Sequence, residues 1–263
     1  MTTSSMAAAA DTIWRNWQQG SVITELPEAM RPQSRRDGYA AQALMAAKSP
    51  AGCIGWKIAA TSKAGQTHIG VDGPIAGRLL KAASYPNGAT VSLTGNRMRF
   101  AEPEFAFRVG RAMAPRAAPY TVAEAASAMD ALLPAIEIPD SRLESFVTAG
   151  AAQLIADNAC GREFIAGPPT STEAWRSLDL ARHPVHARVG NRYTRDGLGA
   201  NVLDGPLLAL TWLVNELSGL GITLGAGEII TTGTCMPPLA VEPADEVVID
   251  FGVLGTVSAR FKA

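Results

Sequence analysis

The chain has 263 residues, 47% of them hydrophobic and 18% charged, with a net charge of −1. That length suits one large domain, or a main domain with a smaller one attached, and allows a substantial core. Its lysines and arginines are scattered apart from Arg35–Arg36, so it carries no basic footprint for nucleic acid. The opening MTTSSMAAAADTIWRNW lacks a basic segment followed by a long apolar one, so no signal peptide is expected. No run of about 18 apolar residues is present, so no membrane span is expected. Cys53, Cys160 and Cys235 have neither CxxC nor finger-like spacing. Reduced thiols in a cytoplasmic protein fit them best.

Residues 6–19 and 34–48 are alanine-rich, with helical spacing of Ile13, Trp14 and Trp17 and then of Tyr39, Leu44 and Met45. A connector rich in proline and polar residues separates them. These two helices define an N-terminal helical region, 1–50, ahead of a main body, 51–263. CIGWKIAA reads as a buried strand, and TSKAGQTHIGVDGPIAGRLL as a short helix followed by a Gly/Pro-rich loop. Strand-like pieces continue at 90–94, 99–109, 134–138 and 162–166. A helix is expected over 121–133, with Thr121 as its cap and Glu124 completing a capping box. The clearest helix is 206–219, opening on Pro206 and ending near Gly219. EIITTGT, DEVVIDFG and GTVSARF then read as strands. Isolated helices interrupting many strands indicate an α+β roll or barrel rather than a doubly wound sheet. No GxGxxG or Walker-type loop follows a strand, so nucleotide binding has no support.

The stretch RFAEPEFAFRV poses the chemical question. Strand alternation puts Glu102, Glu104, Ala106 and Arg108 on one face, with the two carboxylates roughly 7 Å apart. Like charges beside apolar neighbours repel and raise each other's pKa unless a cation sits between them. The same residues also read as a solvated strand face with two surface glutamates and a charge-balancing Arg108. Glu137, between Ile136 and Ile138, is costly in an apolar strand unless paired or liganded. Three carboxylates from two strands would suit Mg²⁺ or Mn²⁺ better than zinc. Lys57, in GWKIAATS, is either a lysine on an exposed edge or a buried acid–base group.

In this order, GWKIAATSKAGQTHIGVDGPIAG, AEPEFAF, LPAIEIPDSR, IADNA and ITTGT resemble the 2-keto-4-pentenoate hydratase/4-oxalocrotonate decarboxylase group of the fumarylacetoacetate hydrolase superfamily. The resemblance runs from about Gly52 to Phe261 and implies a mixed β-roll or barrel whose open face holds the metal. It implies Glu102, Glu104 and Glu137 as ligands of Mg²⁺ or Mn²⁺, and Lys57 as the acid–base or oxyanion-stabilising group. Thr232, Gly233 and Thr234 resemble the turn that helps bind the substrate carboxylate. Asp157 is expected to cap or buttress a loop lining the site. Two positions depart from the group: Ile75 stands where hydratases carry an aspartate, and Cys160 where serine is usual. Both are taken as lining the substrate.

The resemblance further implies a 2-hydroxydienoic or 2-keto-enoic acid substrate, chelated through its C1 carboxylate and C2 oxygen. Water addition would give a 4-hydroxy-2-keto acid. The alternatives are decarboxylation, C–C hydrolysis, or a non-catalytic subunit paired with an enzyme. A homo-oligomer is expected. His68 could act as a base, as a histidine does in the hydrolase branch, while His183 and His186 read as loop or strand-edge residues.

Overall fold

A computed structural model describes residues 2–170 and 172–263, the side chains of 172 and 173 excepted. Two helices, α1 (Thr3–Gln19) and α2 (Arg35–Ala46), open the chain, capped by the side chains of Thr2 and Ser34. They share a small apolar cluster (Ala9, Ile13, Leu26, Met45) with Leu143 and Ala156 of the main body. There follow β1 (Cys53–Ala59), α3 (Lys63–His68), β2 (Ile75–Leu80), β3 (Ser84–Pro86), β4 (Thr90–Ser92) and β5 (Phe100–Val109). Next come α4 (Val122–Ser127), β6 (Met129–Ile138), α5 (Gly150–Ala156), β7 (Glu163–Ala166) and α6 (Thr172–Arg176). The chain finishes with β8 (Pro184–Val189), β9 (Tyr193–Leu198), α7 (Pro206–Gly219), β10 (Ile229–Thr234), β11 (Leu239–Ala240), β12 (Glu246–Asp250) and β13 (Thr256–Lys262).

The strands form two mixed sheets. The larger runs β2-β1-β10-β5-β6-β7-β3 with β11 added on β5, and the smaller runs β4-β13-β12-β8-β9. β1 pairs β10, β3 pairs β7 and β13 pairs β4 in parallel, and the remaining pairs are antiparallel. The two faces of β5 have different partners. Phe105 meets Phe251, the residue after β12 of the smaller sheet, edge-to-face at 5.1 Å, and Phe107 meets Trp175 at 5.4 Å. The opposite face carries Glu102, Glu104 and Ala106, with a small apolar cluster (Leu79, Ala106, Leu133, Ala135, Phe164) beyond the carboxylates. Among the described residues no helix is long and apolar enough to cross a membrane.

Two sequence expectations need correction. The helix expected over 121–133 stops at Ser127, and its second half opens the ten-residue strand β6. The Thr121–Glu124 capping box is present and starts α4. Leu132–Leu133 fits either period, but Pro134 cannot sit in a helix interior. Here it lies where β7 stops pairing with β6, so its missing N–H costs no ladder bond on that side. The Gly/Pro-rich loop after α3 likewise gives way at Ile75 to a true strand, β2. It lies at the sheet edge, where the side chains of Gln42, Tyr39 and Asn158 satisfy the backbone of Ala76 and Arg78.

Candidate metal centre

Register brings the three carboxylates together. Glu102 lies directly opposite Glu137 across β5 and β6, and Glu104 lies one pair further along the same face. Each offers an oxygen within 4.8 Å of the others'. Glu104 and Glu137 are buried and Glu102 is half-buried. The reading of a solvated strand face therefore fails. Arg108 is remote from the cluster: it pairs with Asp130 at 2.7 Å on the exposed far end of the sheet.

Lys57 completes the cluster from β1. A flat sheet would separate β1 and β6 by about 14 Å, three strand spacings. Curling of the sheet brings Lys57 Nζ to 3.5 Å from Glu137 Oε2. At 2% exposure, Lys57 is no edge lysine. Its ammonium donates to the carbonyl of Ala159 at 3.1 Å.

Burial pushes all three carboxyls above their ordinary range, Glu104 to about 7 and Glu137 well up, against the opposing pull of Lys57. For Lys57 burial favours the neutral amine, but Glu137, Glu102 and Glu104 together outweigh it and hold the proton on. The polar atoms show what is lacking. Glu104 Oε2 accepts from the Gly233 amide at 2.7 Å, whereas Glu104 Oε1 and both oxygens of Glu137 are buried without a hydrogen-bond partner. Fully ionised, the trio carries two negative charges more than Lys57 neutralises. Orphaned carboxylate oxygens at this spacing fit one hard divalent cation with oxygen ligands.

The other expected residues take varied places. Gly233, at φ 93°, leaves no room for a side chain, since a Cβ would lie 2.1 Å from Thr61 Oγ1. Thr232 Oγ1 donates to the Phe105 carbonyl at 3.0 Å and Thr234 Oγ1 to that of Met236 at 2.7 Å. Ile75, fully buried, pairs with Ala59 and so shares the sheet face of Lys57 and Gly77. Of the histidines, His68 is exposed on α3, His183 bonds the Phe251 carbonyl at 2.7 Å, and His186 pairs with Asp196 on the outer hairpin.

Asp157 is a buttress. Its carboxylate accepts from Ser141 Oγ at 2.6 Å, from the Arg142 amide and from Arg142 Nε at 2.5 Å. Arg142 also donates to the carbonyls of Gly161 and Asp157, and its guanidinium stacks on Trp17 of α1. Next to this node Asn158, Ala159 and Cys160 are all left-handed, with φ of 58°, 51° and 57°. Left-handed backbone costs about 1–2 kcal/mol per residue, least for asparagine. Cys160 is a buried thiol pushed up to about 12 by burial, which leaves it unreactive. Sequence reasoning missed Arg142 and the Ala159 carbonyl. The signal for the first was an arginine two residues after Asp140, directly following an apolar strand, and for the second the left-handed tolerance of Asn158.

The model for the fumarylacetoacetate hydrolase C-terminal domain matches residues 65–262. The 2-keto-4-pentenoate hydratase of Paraburkholderia xenovorans is 29% identical over 266 residues, covering 100% of this chain and 97% of its own. The 4-oxalocrotonate decarboxylase of Pseudomonas putida is 32% identical over 209 residues, 79% of this chain and 77% of that one. A solved 4-oxalocrotonate decarboxylase from Pseudomonas putida, complexed with magnesium and adipate, superposes with a TM-score of 0.89 at 27% identity, covering 99% of this chain and 98% of that chain. A curled mixed sheet bearing converging glutamates, a domain match over three-quarters of the length and relatives that span nearly all of it lead to one assignment: the chain belongs to the fumarylacetoacetate hydrolase family.

Proposed function

We propose that the protein is a divalent-metal-dependent lyase that adds water to a 2-hydroxydienoic acid, giving a 4-hydroxy-2-keto acid. The observation that carries this reading is Lys57, buried 3.5 Å from Glu137 in a carboxylate trio whose oxygens lack hydrogen-bond partners. Glu102, Glu104 and Glu137 would hold Mg²⁺ or Mn²⁺. Bound there, the ion would supply Lewis-acid stabilisation of negative charge on a chelating keto acid. Gly233 orients Glu104 through its amide. Lys57 Nζ delivers its proton to C5 of the dienol and takes up the proton that leaves the C2 hydroxyl, so the shift to the α,β-unsaturated ketone is balanced and the ammonium is restored. Water then adds at C4, its oxygen to C4 and a proton to C3. Burial of Lys57 and Glu137 excludes bulk water from the proton transfer.

Ile75 gives the distal wall an apolar side chain on the face of Lys57, which supports a substrate with an uncharged tail. Decarboxylation is the second reading, favoured by the likeness to the decarboxylase fold. The expected homo-oligomer is supported by apolar surface at Leu208 on α7, 46% exposed, and Val122 on α4. Sedimentation velocity at several concentrations tests it.

The function is tested by following the dienoate absorbance and the product by NMR, with Mg²⁺ and with Mn²⁺, over neutral-tailed and dicarboxylate dienoates. Metal-dependent formation of a 4-hydroxy-2-keto acid is expected. Release of CO₂ would replace hydration by decarboxylation, and no turnover of any member would overturn the reading.

A further inference from the structure

The environment of Lys57 is built by a segment that no part of the proposed chemistry uses. Its strand partner is Gly77. A Cβ on Gly77 would lie 2.2 Å from the Asn158 carbonyl oxygen and 3.2 Å from Lys57 Cδ; one on Gly161 would lie 3.0 Å and 3.5 Å from the same two atoms. The lysine stem thus runs between two glycines, under the left-handed turn 158–160. The head meets that turn as well, donating to the Ala159 carbonyl at 3.1 Å.

Two independent fastenings fix the turn. On one side is the buried Arg142–Asp157 pair, closed by Ser141. On the other is the Asn158 side chain, which accepts from the Arg78 amide at 2.7 Å and donates to the Arg78 carbonyl at 2.9 Å. It takes both main-chain groups of the residue after Gly77, so the turn is tied to the strand that faces Lys57. None of these bonds involves Glu102, Glu104 or Glu137.

We propose that Asn158 is a positioning residue for Lys57: by tying the left-handed turn to β2 it aims the Ala159 carbonyl, and with it the lysine head, at the carboxylate trio. The inference rests on the reading of Lys57 as the acid–base group, but its placement is measurable without turnover. Asparagine serves both needs at once, because it tolerates left-handed backbone and its amide matches one donor and one acceptor.

The test uses the full-length protein carrying ¹³C-labelled lysine, with the Lys57 side-chain resonance assigned by its loss in Lys57→Met. In Asn158→Ala that resonance is expected to move and broaden. kcat should fall by about 10–100-fold, as for a catalytic group misplaced by about an ångström. KM and Mn²⁺ affinity should stay within about twofold, because ground-state binding is untouched. Asn158→Gly, which keeps the backbone conformation without the amide, should show the same resonance shift. It also serves as the test if the alanine variant does not fold. A Lys57 resonance and kcat at wild-type values in either variant would overturn the proposal. So would a parallel loss of kcat and Mn²⁺ affinity with the resonance unmoved, the mark of a general structural role. If wild-type protein turns over no dienoate, the functional reading fails and the resonance alone decides the positioning.

Discussion

Two buried charged clusters lie within reach of Lys57, and they are built on opposite principles. At the Arg142–Asp157 node each carboxylate oxygen has a donor, and the guanidinium is shared between the carboxylate and two carbonyls. At the Glu102–Glu104–Glu137 centre three carboxylate oxygens have no hydrogen-bond partner, and burial drives the groups toward protonation. The first cluster is complete and holds the backbone in a costly conformation. The second is left with unpaired oxygens that a divalent cation would satisfy. Buried polar groups are ordinarily satisfied, and among the described residues three of the eight buried side-chain polar atoms without a hydrogen-bond partner gather on this one trio. Lys57 links the two, bonding Ala159 of the turn that the first cluster adjoins and pairing with Glu137 of the second.

The largest expected effect comes from removing that shared group. Lys57→Met should lower kcat by about 10²–10⁴-fold, the usual worth of general acid–base catalysis. Mn²⁺ affinity, read by electron paramagnetic resonance, should survive; a fall in kcat under about tenfold would remove Lys57 from the chemistry. The next pair should change stability in opposite directions. Arg142→Met strands a buried carboxylate, which costs about 3–5 kcal/mol, or about 2–4 °C of Tm per kcal/mol at this size. Glu104→Gln removes a carboxyl that burial opposes while keeping an acceptor for Gly233, so the metal-free Tm should rise. Its metal affinity should fall by more than the about 10–100-fold typical of losing an outer-shell partner. If Glu104→Gln lowered the metal-free Tm as Arg142→Met does, the contrast between the clusters would collapse.

A smaller effect follows from protonation. Glu104 is pushed up to about 7 by burial, from an ordinary value near about 4.3. The folded protein therefore holds more protons than the unfolded chain between these values. The stability this gives the metal-free protein is full below about pH 4.3 and lost as pH rises through about 7. Burial raises the Asp157 carboxyl too, so the informative quantity is the difference between metal-free and Mg²⁺-loaded protein. That Tm difference should widen from pH 5 to pH 8 by a few degrees in differential scanning calorimetry, because metal competes with protons for the same oxygens. A gap independent of pH would mean that the trio does not take up the metal.

Most of the strand framework was legible because period and punctuation agree in it. The alternation in β5 placed Glu102 and Glu104 on one face, and Pro206 and Gly219 bracket α7 as expected. Leu132–Leu133 had no period of its own, so the α4–β6 boundary fell in the wrong place. The strand β2 was hidden because Pro74 and Gly77 mimic a loop, while what makes it a strand is its antiparallel pairing with β1, and its free edge is met by a turn eighty residues later, visible only in three dimensions. The carboxylate trio could be read because each glutamate sits in an apolar run. The hold on Lys57 could not, since a backbone carbonyl from Ala159 leaves no mark in side-chain chemistry.

The smallest expected effect concerns Ile75, where the resemblance places an aspartate in hydratases. Ile75 is fully buried and lies on the face of Lys57 two residues from Gly77. Its side chain cannot carry a proton, so in this protein Lys57 has no acidic neighbour on β2 to share one with. The same side chain offers no partner to a second substrate carboxylate, and an unpaired charge against it would be costly. Wild-type kcat/KM should therefore favour alkyl-tailed over dicarboxylate dienoates, by about 10-fold or more, the scale of discrimination by an apolar pocket. Ile75→Asp introduces a fourth acid beside the trio, which should lower the Tm by a few degrees. It should also add an ionisation to the pH profile of kcat and raise hydration of the short dienoate relative to the alkyl-extended one. The measurement is kcat/KM for short, alkyl-extended and dicarboxylate dienoates across pH in both proteins. A wild-type preference for the dicarboxylate, or a pH profile and substrate order unchanged by the substitution, would show that Ile75 packs behind Lys57 without lining the substrate, leaving the distal wall to be sought on the other strands of the curled sheet.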